Sequence, residues 1–161
     1  MGRPRYRPSI VEHRELAATF VQMLNTHDPD LVDRFVAVDY VNHNAFVDDG
    51  REANRAFWTD FFAALPDLRA TMDDLVVSGD RVAGRFTYRG THRGEFFGIP
   101  ATGRSIEMRS IDIWRVEDGM FAEHWDELNT LDLIRQFGAV GLLRAGLVLG
   151  TRGTVSRLRR A

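Results

Sequence analysis

The sequence of 161 residues contains no cysteine. This absence excludes a disulfide framework, metal sites built from thiolates and a cysteine nucleophile. Lysine is missing as well, because all 21 cationic residues are arginine. Without a lysine amine the chain cannot use a Schiff base for carbon–carbon bond chemistry, and pyridoxal phosphate chemistry is excluded for the same reason.

Charge is distributed unevenly along the chain, although the net charge is only −2. Arginines are concentrated at both ends, whereas residues 8–134 hold 12 arginines and all 23 acidic residues, a balance of −11. An acidic body with basic ends is a poor surface for nucleic acid, so we expect no nucleic-acid partner. The basic residues at the two ends are typical of solvated tails.

Long apolar runs are also lacking. Residues 12–15 are Glu, His, Arg and Glu, and they interrupt the apolar segment that a secretory signal would need. No segment reaches the roughly 18 apolar residues of a membrane span. We therefore expect a cytoplasmic protein without a membrane partner. Its length predicts one domain (9–138), preceded by a basic tail (1–8) and followed by an apolar, basic extension (139–161).

Helical periodicity dominates the first part of the domain. A capping-box pattern begins at Ser9, and apolar residues follow it at helical spacing as far as Leu24. The dipeptide Asp28-Pro29 predicts the start of a second, short helix, with aspartate as its cap. A third helix is predicted over 51–65, where a proline ends it, and a last one over 130–137.

Alternation with a period of two follows the third helix. It predicts strands over 68–77, 81–92, 104–116 and 120–128, in addition to a short extended piece over 39–44. Helices that precede an antiparallel meander predict an α+β fold, in which the helices pack on one face of a curved sheet. Such a cone encloses a pocket between the sheet and the helices, which is a common place for a ligand.

The turn between the last two strands decides which side chains share a face. A three-residue loop at 117–119 opposes Asp112 to His124 and puts both on the face of Asp126. A two-residue loop instead pairs Asp112 with Trp125, because a slip of one residue turns every side chain to the other face. We favour the three-residue loop. The shared face then holds Met108, Ser110, Asp112, Trp114, Ala122, His124 and Asp126, and the reverse face holds Arg109, Ile111, Ile113, Phe121, Glu123, Trp125 and Glu127.

In that register two carboxylates and a histidine (Asp112, Asp126 and His124) share one surface. The apolar walls around them are expected to come from Phe57, Phe61, Phe86 and Trp114. A carboxylate among apolar groups has its pKa raised toward neutrality, so it can act as a general base and then as a general acid. The alternative is that Asp112 and His124 only satisfy each other across the strands.

Several separated motifs carry a resemblance to a known family. They are 39–43 (DYVNH), 65–68 (LPDL), 90–103 (GTHRGEFFGIPATG), 118–126 (DGMFAEHWD) and 133–138 (LIRQFG). With these motifs in this order over about residues 12–138, the chain resembles the SnoaL-like polyketide cyclases of the NTF2-like superfamily. The resemblance implies a cone-shaped α+β fold and a catalyst without cofactor or metal, which closes rings in aromatic polyketides by an intramolecular aldol reaction.

The resemblance also implies roles for individual residues. In the family, one aspartate on the last strands removes a proton from the acidic carbon and returns it to the carbonyl oxygen, and Asp126 matches that position. The family's polar residue and histidine on the preceding strand correspond to Ser110 and Asp112, which is a departure. Candidate donors to the enolate are His124, Asn42 and a protonated Asp112. We expect Asp126, Asp112 and His124 to be catalytic, and the substrate to be bound by Tyr40, Asn42, His43, Trp58, Phe61, Phe86, His92, Met108, Ser110 and Trp114.

Other functions of the same scaffold stay open. Tyr40 and Asn42 resemble the water-positioning pair of limonene-type epoxide hydrolases, but the arginine of those enzymes corresponds to Ser110 here. A hydroxylase, a dehydratase and a non-catalytic small-molecule binding domain are the further alternatives. Since family members are often homo-oligomers, we expect a homodimer or homotetramer formed through the outer face of the sheet, toward which Trp125 and Ile113 point.

Overall fold

The helices precede the sheet along the chain, as the sequence pattern predicts. A computed structural model describes residues 10–44, 46–139, 141 and 143 of the protein. The elements in this part are α1 (Ile10–Thr26), a short 3₁₀ helix (Pro29–Arg34), β1 (Val36–Asn42), α2 (Arg51–Ala64), β2 (Arg69–Ser78), β3 (Arg81–Thr91), β4 (Ser105–Glu117), β5 (Met120–Leu128) and α3 (Thr130–Gln136). Each predicted helix and strand is therefore present, with bounds close to the predicted ones, except that β1 covers Val36–Asn42 rather than 39–44.

Some expectations concern residues beyond this part of the chain. The predicted basic tail, 1–8, and most of the predicted extension, 139–161, lie outside the described residues. Within the described part, no α-helix combines the length and the apolar character that crossing a bilayer requires.

Local capping places the helices that cover the sheet. Asp28 accepts a hydrogen bond from the Asp30 N–H at 3.1 Å, and Pro29 follows as the first residue of the 3₁₀ helix. Gly50 precedes α2 with a φ of +95°, a conformation that favours glycine. The Gly50 N–H donates to the Tyr40 carbonyl at 2.7 Å, so the start of α2 is tied to β1.

The five strands form one sheet in the order β1-β5-β4-β3-β2. β1 runs parallel to β5, and the other neighbours are antiparallel. Phe20 of α1 connects helix and sheet, with ring centroids 5.3 Å from Phe86 and 5.4 Å from Trp114. Helices packed on a mostly antiparallel, curved sheet confirm the predicted fold class.

The turn between β4 and β5 differs from the predicted one. Glu117 pairs with Met120, so the loop has two residues, Asp118 and Gly119, with φ of 49° and 77°. Positive φ at both positions is the mark of the type I′ turn, whose twist suits a hairpin. The prediction of a three-residue loop is therefore wrong.

A bulge in β5 restores the predicted sharing of faces. Val116 pairs with Phe121 but the preceding Arg115 pairs with Glu123, so Ala122 is an extra residue in β5. The bulge shifts the register by one, so His124 opposes Trp114 and Asp126 opposes Asp112. The predicted pairing of Asp112 with His124 is therefore wrong, although both residues do lie on the face of Asp126. Phe121, which we expected on the reverse face, is fully buried because its position before the bulge points inward with Val116.

Candidate active site

A cavity lies between α2 and the inner face of the sheet. Its aromatic wall consists of Phe57, Trp58, Phe96 and Phe97. Its polar wall consists of Ser110, Asp112, His124 and Asp126 from β4 and β5, and of Asn42, Asn44 and Asn54. An apolar cleft with a few convergent polar groups is the usual form of a small-molecule site.

His124 and Asp112 form a hydrogen-bonded pair in the polar wall. Nε2 of His124 lies 2.9 Å from Oδ1 of Asp112, and both side chains are largely buried. The imidazole stacks on Trp114 and on Tyr40, with ring centroids 5.3 and 6.2 Å away. Oδ1 of Asn42 lies 3.2 Å from Nδ1. The ring therefore has partners on both nitrogens and contacts that fix its plane.

The second oxygen of Asp112 continues the polar chain along the inner face. The Ser110 hydroxyl donates to Oδ2 of Asp112, and the Tyr88 hydroxyl lies 3.3 Å from Oγ of Ser110. Burial raises the pKa of Tyr88 well above its usual value, and the charges of Asp112 and Asp126 act in the same direction. Tyr88 consequently stays a neutral phenol, which can hydrogen-bond but does not supply a base.

Asp126 is the other carboxylate of the cavity, and it is only partly buried. Nδ2 of Asn44 lies 2.8 Å from both of its carboxylate oxygens. Burial raises the pKa of Asp126, and the charges of Asp112 and Glu127 add to this effect. His124 and the hydrogen bond from Asn44 oppose it without reversing it. A carboxyl with a raised pKa that reaches the cavity is suited to proton transfer.

The loop after β1, helix α2 and the loop before β4 contribute residues that the sequence reasoning missed. Asn44 holds Asp126, and Asn54 accepts a hydrogen bond from Nε1–H of Trp58 at 3.1 Å. Phe96 and Phe97 come from the loop before β4, and neither is among the predicted site residues. The available signal was the Asn-x-Asn spacing of Asn42 and Asn44, since residues of this type commonly bind nearby backbone in loops.

The structure brings some of the predicted site residues to the cavity and leaves others behind it. Seven of them line it: Asp126, Asp112, His124, Asn42, Trp58, Met108 and Ser110. Four others, Tyr40, Phe61, Phe86 and Trp114, are buried in the core and do not line it. Tyr40 and Trp114 support the ring of His124, while Phe61 and Phe86 pack against Tyr88.

His43 and His92 also lie away from the cavity lining. His43 contacts Oε1 of Glu123 at 2.9 Å and stacks on Trp125, with ring centroids 4.8 Å apart. His92 is fully buried, with Nδ1 3.0 Å from Oγ1 of Thr102, and burial lowers its pKa. Their contacts hold loops rather than a ligand: the His43 N–H donates to the His124 carbonyl, and His92 fixes the loop before β4.

The fold and the cavity together define an NTF2-like protein, with helices and a curved sheet around a pocket that carries two carboxylates and a histidine. The family model that matches is the SnoaL-like polyketide cyclase, over residues 14–137. The chain belongs to this family, as its sequence motifs predict. Within the described residues, no group of three or more His, Asp or Glu side chains is arranged to hold a metal ion.

The chain is similar to several other proteins over most of its length. The aklanonic acid methyl ester cyclase DnrD of Streptomyces peucetius is 29% identical over 130 residues, which cover 77% of this chain and 89% of DnrD. The structure of TsrD from Streptomyces laurentii is 39% identical, with a TM-score of 0.78 over 82% of this chain and 98% of TsrD. IdmH from Streptomyces antibioticus is 34% identical, with a TM-score of 0.66 over 79% of this chain and 99% of IdmH.

Proposed function

We propose that this chain catalyses an intramolecular aldol ring closure in a polyketide, with Asp126 as the general base and then the general acid. The observation that carries the proposal is the position of Asp126 in the cavity wall, partly buried and with a raised pKa. A carboxyl of this kind exchanges protons near neutral pH more readily than an exposed one.

The reaction needs only one proton-transferring group. Asp126 takes a proton from a carbon flanked by two carbonyls, which leaves an enolate. The enolate carbon then attacks a ketone carbon of the same molecule, so that one carbon–carbon bond forms and the ketone oxygen becomes an alkoxide. The protonated Asp126 returns its proton to that oxygen, which gives a hydroxyl and restores the carboxylate. Holding both ends of a flexible chain together lowers the entropic part of the barrier.

The enolate oxygen requires hydrogen-bond donors beside Asp126. Our three candidates, His124, Asp112 and Asn42, all line the cavity, but His124 and Asp112 are engaged with each other. Oδ1 of Asn42 accepts from the Asn44 N–H at 3.1 Å, so its amide nitrogen is the atom left for a ligand. Asn54 is similar, because its oxygen accepts from Trp58. We therefore favour the amide nitrogens of Asn42 and Asn54 as donors.

A β-polyketone methyl ester is the substrate class that we propose. DnrD is named for the methyl ester of aklanonic acid, and the present chain spans most of its length. The rings of Phe57, Trp58, Phe96 and Phe97 offer flat surfaces on which an aromatic polyketide can stack.

The direct test is turnover of a linear β-polyketone methyl ester under nitrogen, without added metal, by the wild type and by Asp126→Asn. We expect the wild type to close a ring and the variant to lose at least about a hundredfold in rate, the usual contribution of acid–base catalysis. Asp74→Asn is the matched control, since Asp74 is paired with Arg85 on the outer face. If wild type and variant are both inert but bind the compound, the cavity is a binding site or serves another substrate class.

We also propose that copies of the chain associate through the outer face of the sheet. Ile111 is 54% exposed there and Ile113 41%, between charged neighbours on the same strand. Light scattering at micromolar concentration is expected to give the mass of a dimer or tetramer, and a monomeric mass would contradict this.

A further inference from the structure

Among the described residues, Asn44 is the one whose side chain donates a hydrogen bond to the carboxylate of Asp126. Nδ2 of Asn44 lies 2.8 Å from Oδ1 and 2.8 Å from Oδ2 of Asp126. At these distances one N–H of the amide is shared between the two carboxylate oxygens in a bifurcated hydrogen bond. This contact favours the ionised carboxylate and restricts its rotation, and a solvating water would not restrict it in the same way.

The orientation of the Asn44 amide follows from its other contact. Oδ1 of Asn44 accepts from the Phe46 N–H at 2.7 Å. An amide nitrogen cannot accept a hydrogen bond, so the oxygen must face Phe46 and the nitrogen must face Asp126. The donor is therefore fixed toward Asp126 by the fold of the loop itself.

The loop that carries Asn44 is held from both sides. Its own N–H donates to Oδ1 of Asn42 at 3.1 Å, and the Asn42 N–H donates to Oδ1 of Asp49 at 2.7 Å. The N–H of His43 donates to the carbonyl of His124 on β5 at 3.0 Å. Asn44 is thus anchored to the same strand that carries Asp126, two residues from it.

The charges around Asp126 show why a neutral donor matters there. The groups that act on it are His124 and Glu127 from β5, Asp112 from β4, and the amide of Asn44. Tyr40 and Tyr88 also face its charge, and both are neutral phenols. His124 is already engaged with Asp112. Asn44 consequently supplies stabilisation of the Asp126 carboxylate that involves no counter-ion to transfer or lose a proton.

We propose that Asn44 is a positioning residue, which holds the carboxylate of Asp126 in one orientation and in its ionised form, ready to accept the substrate proton. This inference rests on the proposed function for its consequence in turnover, but the contact itself can be tested without turnover. When Asp126 accepts the proton, the amide keeps its bond to the oxygen that stays unprotonated. The acid is thereby held for the return of the proton.

The experiment follows the titration of Asp126 by ¹³C NMR of the carboxyl carbons, with its signal identified by its loss in Asp126→Asn. We expect Asn44→Ala to raise the pKa of Asp126, because the bond to the charged form is lost. The acid limb of the pH profile of kcat/KM is expected to move to higher pH with it. At pH values on the acid side of the profile, the kcat of Asn44→Ala is expected to be about tenfold or more below that of the wild type, while KM stays nearly constant.

Two further variants make the result decisive. Asn44→Asp keeps the size of the side chain but sets a second carboxylate against Asp126, so we expect a larger upward shift for one member of the pair. This variant also serves if Asn44→Ala does not fold. Asn25→Ala is the structural control, since Asn25 bonds the Ala70 carbonyl at 2.9 Å and only ties α1 to β2. It is expected to lower Tm without moving the titration.

An unchanged titration of Asp126 in Asn44→Ala and Asn44→Asp would overturn the inference. A shift in both, with the Asn25→Ala titration unchanged, would support it. The proposed function fails separately, if Asp126→Asn retains full turnover, and that result leaves the titration to decide the role of Asn44.

Discussion

The carboxylates on the two faces of the β4–β5 hairpin have different kinds of partner. On the outer face, Arg115 contacts Glu117 at 2.7 Å and Glu123 at 2.8 Å. On the inner face, none of the ion pairs of Asp112 or Asp126 within the described part of the chain involves an arginine. Their partners there are a histidine and neutral hydroxyl or amide groups. The outer carboxylates are thus paired with arginine, whereas the inner ones are held by a histidine and by neutral donors.

The pKa directions follow this division. Hydrogen bonds from Arg115 and then from His43 lower the pKa of Glu123 on the outer face. The Thr87 hydroxyl does the same for Asp73, with Thr71 and two arginines adding to it. Burial raises the pKa of Asp126 on the inner face. The same residue types therefore serve as surface ion pairs on one side and as a candidate proton carrier on the other.

The largest expected effect is on folding stability, because side chains on the inner face are packed in the core and those on the outer face are partly exposed. Phe121 is fully buried before the bulge, whereas Ile113 on the outer face is 41% exposed. We expect Phe121→Ala to lower the free energy of unfolding by about 3–5 kcal/mol, because it leaves a cavity next to Trp114. Ile113→Ala is expected to cost only about 0.5 kcal/mol, as is usual for surface positions.

Urea unfolding followed by tryptophan fluorescence measures both variants, with the slope of the transition as a check that folding stays two-state. Equal losses for the two variants would mean that Phe121 does not occupy the inner face, and the bulge at Ala122 would then be wrong.

The next effect concerns catalysis on the inner face. Asp112 uses both oxygens, for His124 and for Ser110, so Asp112→Asn must turn an amide nitrogen toward one of them. The mismatch is expected to cost about 1–3 kcal/mol, which corresponds to roughly a tenfold to hundredfold loss in kcat. Glu107→Gln, on the outer face of the same strand, is the control and is expected to keep the wild-type rate. A full rate for Asp112→Asn would leave Asp112 and His124 as a purely structural pair.

The hairpin shows how far sequence alone predicts this fold. Alternation in β4 and β5 identified both strands, and the shared face of Asp112, His124 and Asp126 is confirmed. The turn was predicted wrongly, because Gly119 suits a two-residue and a three-residue loop equally. The bulge at Ala122 leaves no periodic trace, since it depends on the fit of Phe121 into a core assembled from distant helices. The wrong loop length and the unpredicted bulge therefore cancelled, so the predicted sharing of one face by these three residues is correct although the predicted turn is not.

The candidate site was predictable mainly where it lies on regular strands, with Trp58 of α2 as an addition from a helix. Ser110, Asp112, His124 and Asp126 follow from alternation, since every second residue of a strand faces the same way. Asn44 does not, because its direction depends on bonds between loop side chains and loop backbone. Aromatic residues caused the opposite error. Phe61 and Phe86 were expected to bind substrate, but sequence does not distinguish an aromatic core residue from one that faces a cavity.

The third prediction compares the pH dependence of stability on the two faces. Since the pKa of Asp126 is raised, its ionised form is disfavoured in the folded state, and stability falls as pH rises through the raised pKa. Asp126→Asn removes this penalty, so at neutral pH it is expected to be more stable than the wild type. Asp73 has a lowered pKa, so Asp73→Asn is expected to be less stable at neutral pH.

Both differences are expected to vanish in acid. The stability curves of Asp126→Asn and the wild type meet below the ordinary aspartate pKa of 3.8, where Asp126 is protonated in both the folded and the unfolded state. The curve of Asp73→Asn meets the wild type at still lower pH, below the lowered pKa of Asp73. Thermal unfolding across a pH series checks the signs, and differences of the same sign at neutral pH would contradict the division between the faces.

The smallest expected effect belongs to the ion pairs themselves. Arg115→Gln breaks the contacts to Glu117 and Glu123, but Glu117 is largely exposed and Arg115 and Glu123 are partly exposed, so water can replace part of what is lost. We expect a loss of less than about 1 kcal/mol in the free energy of unfolding, which shrinks further at high salt because ions screen exposed charges. Turnover is expected to stay at the wild-type level. A loss of rate without a loss of stability would show that charge on the outer face acts through β5 on Asp126, and the two faces would then not be independent.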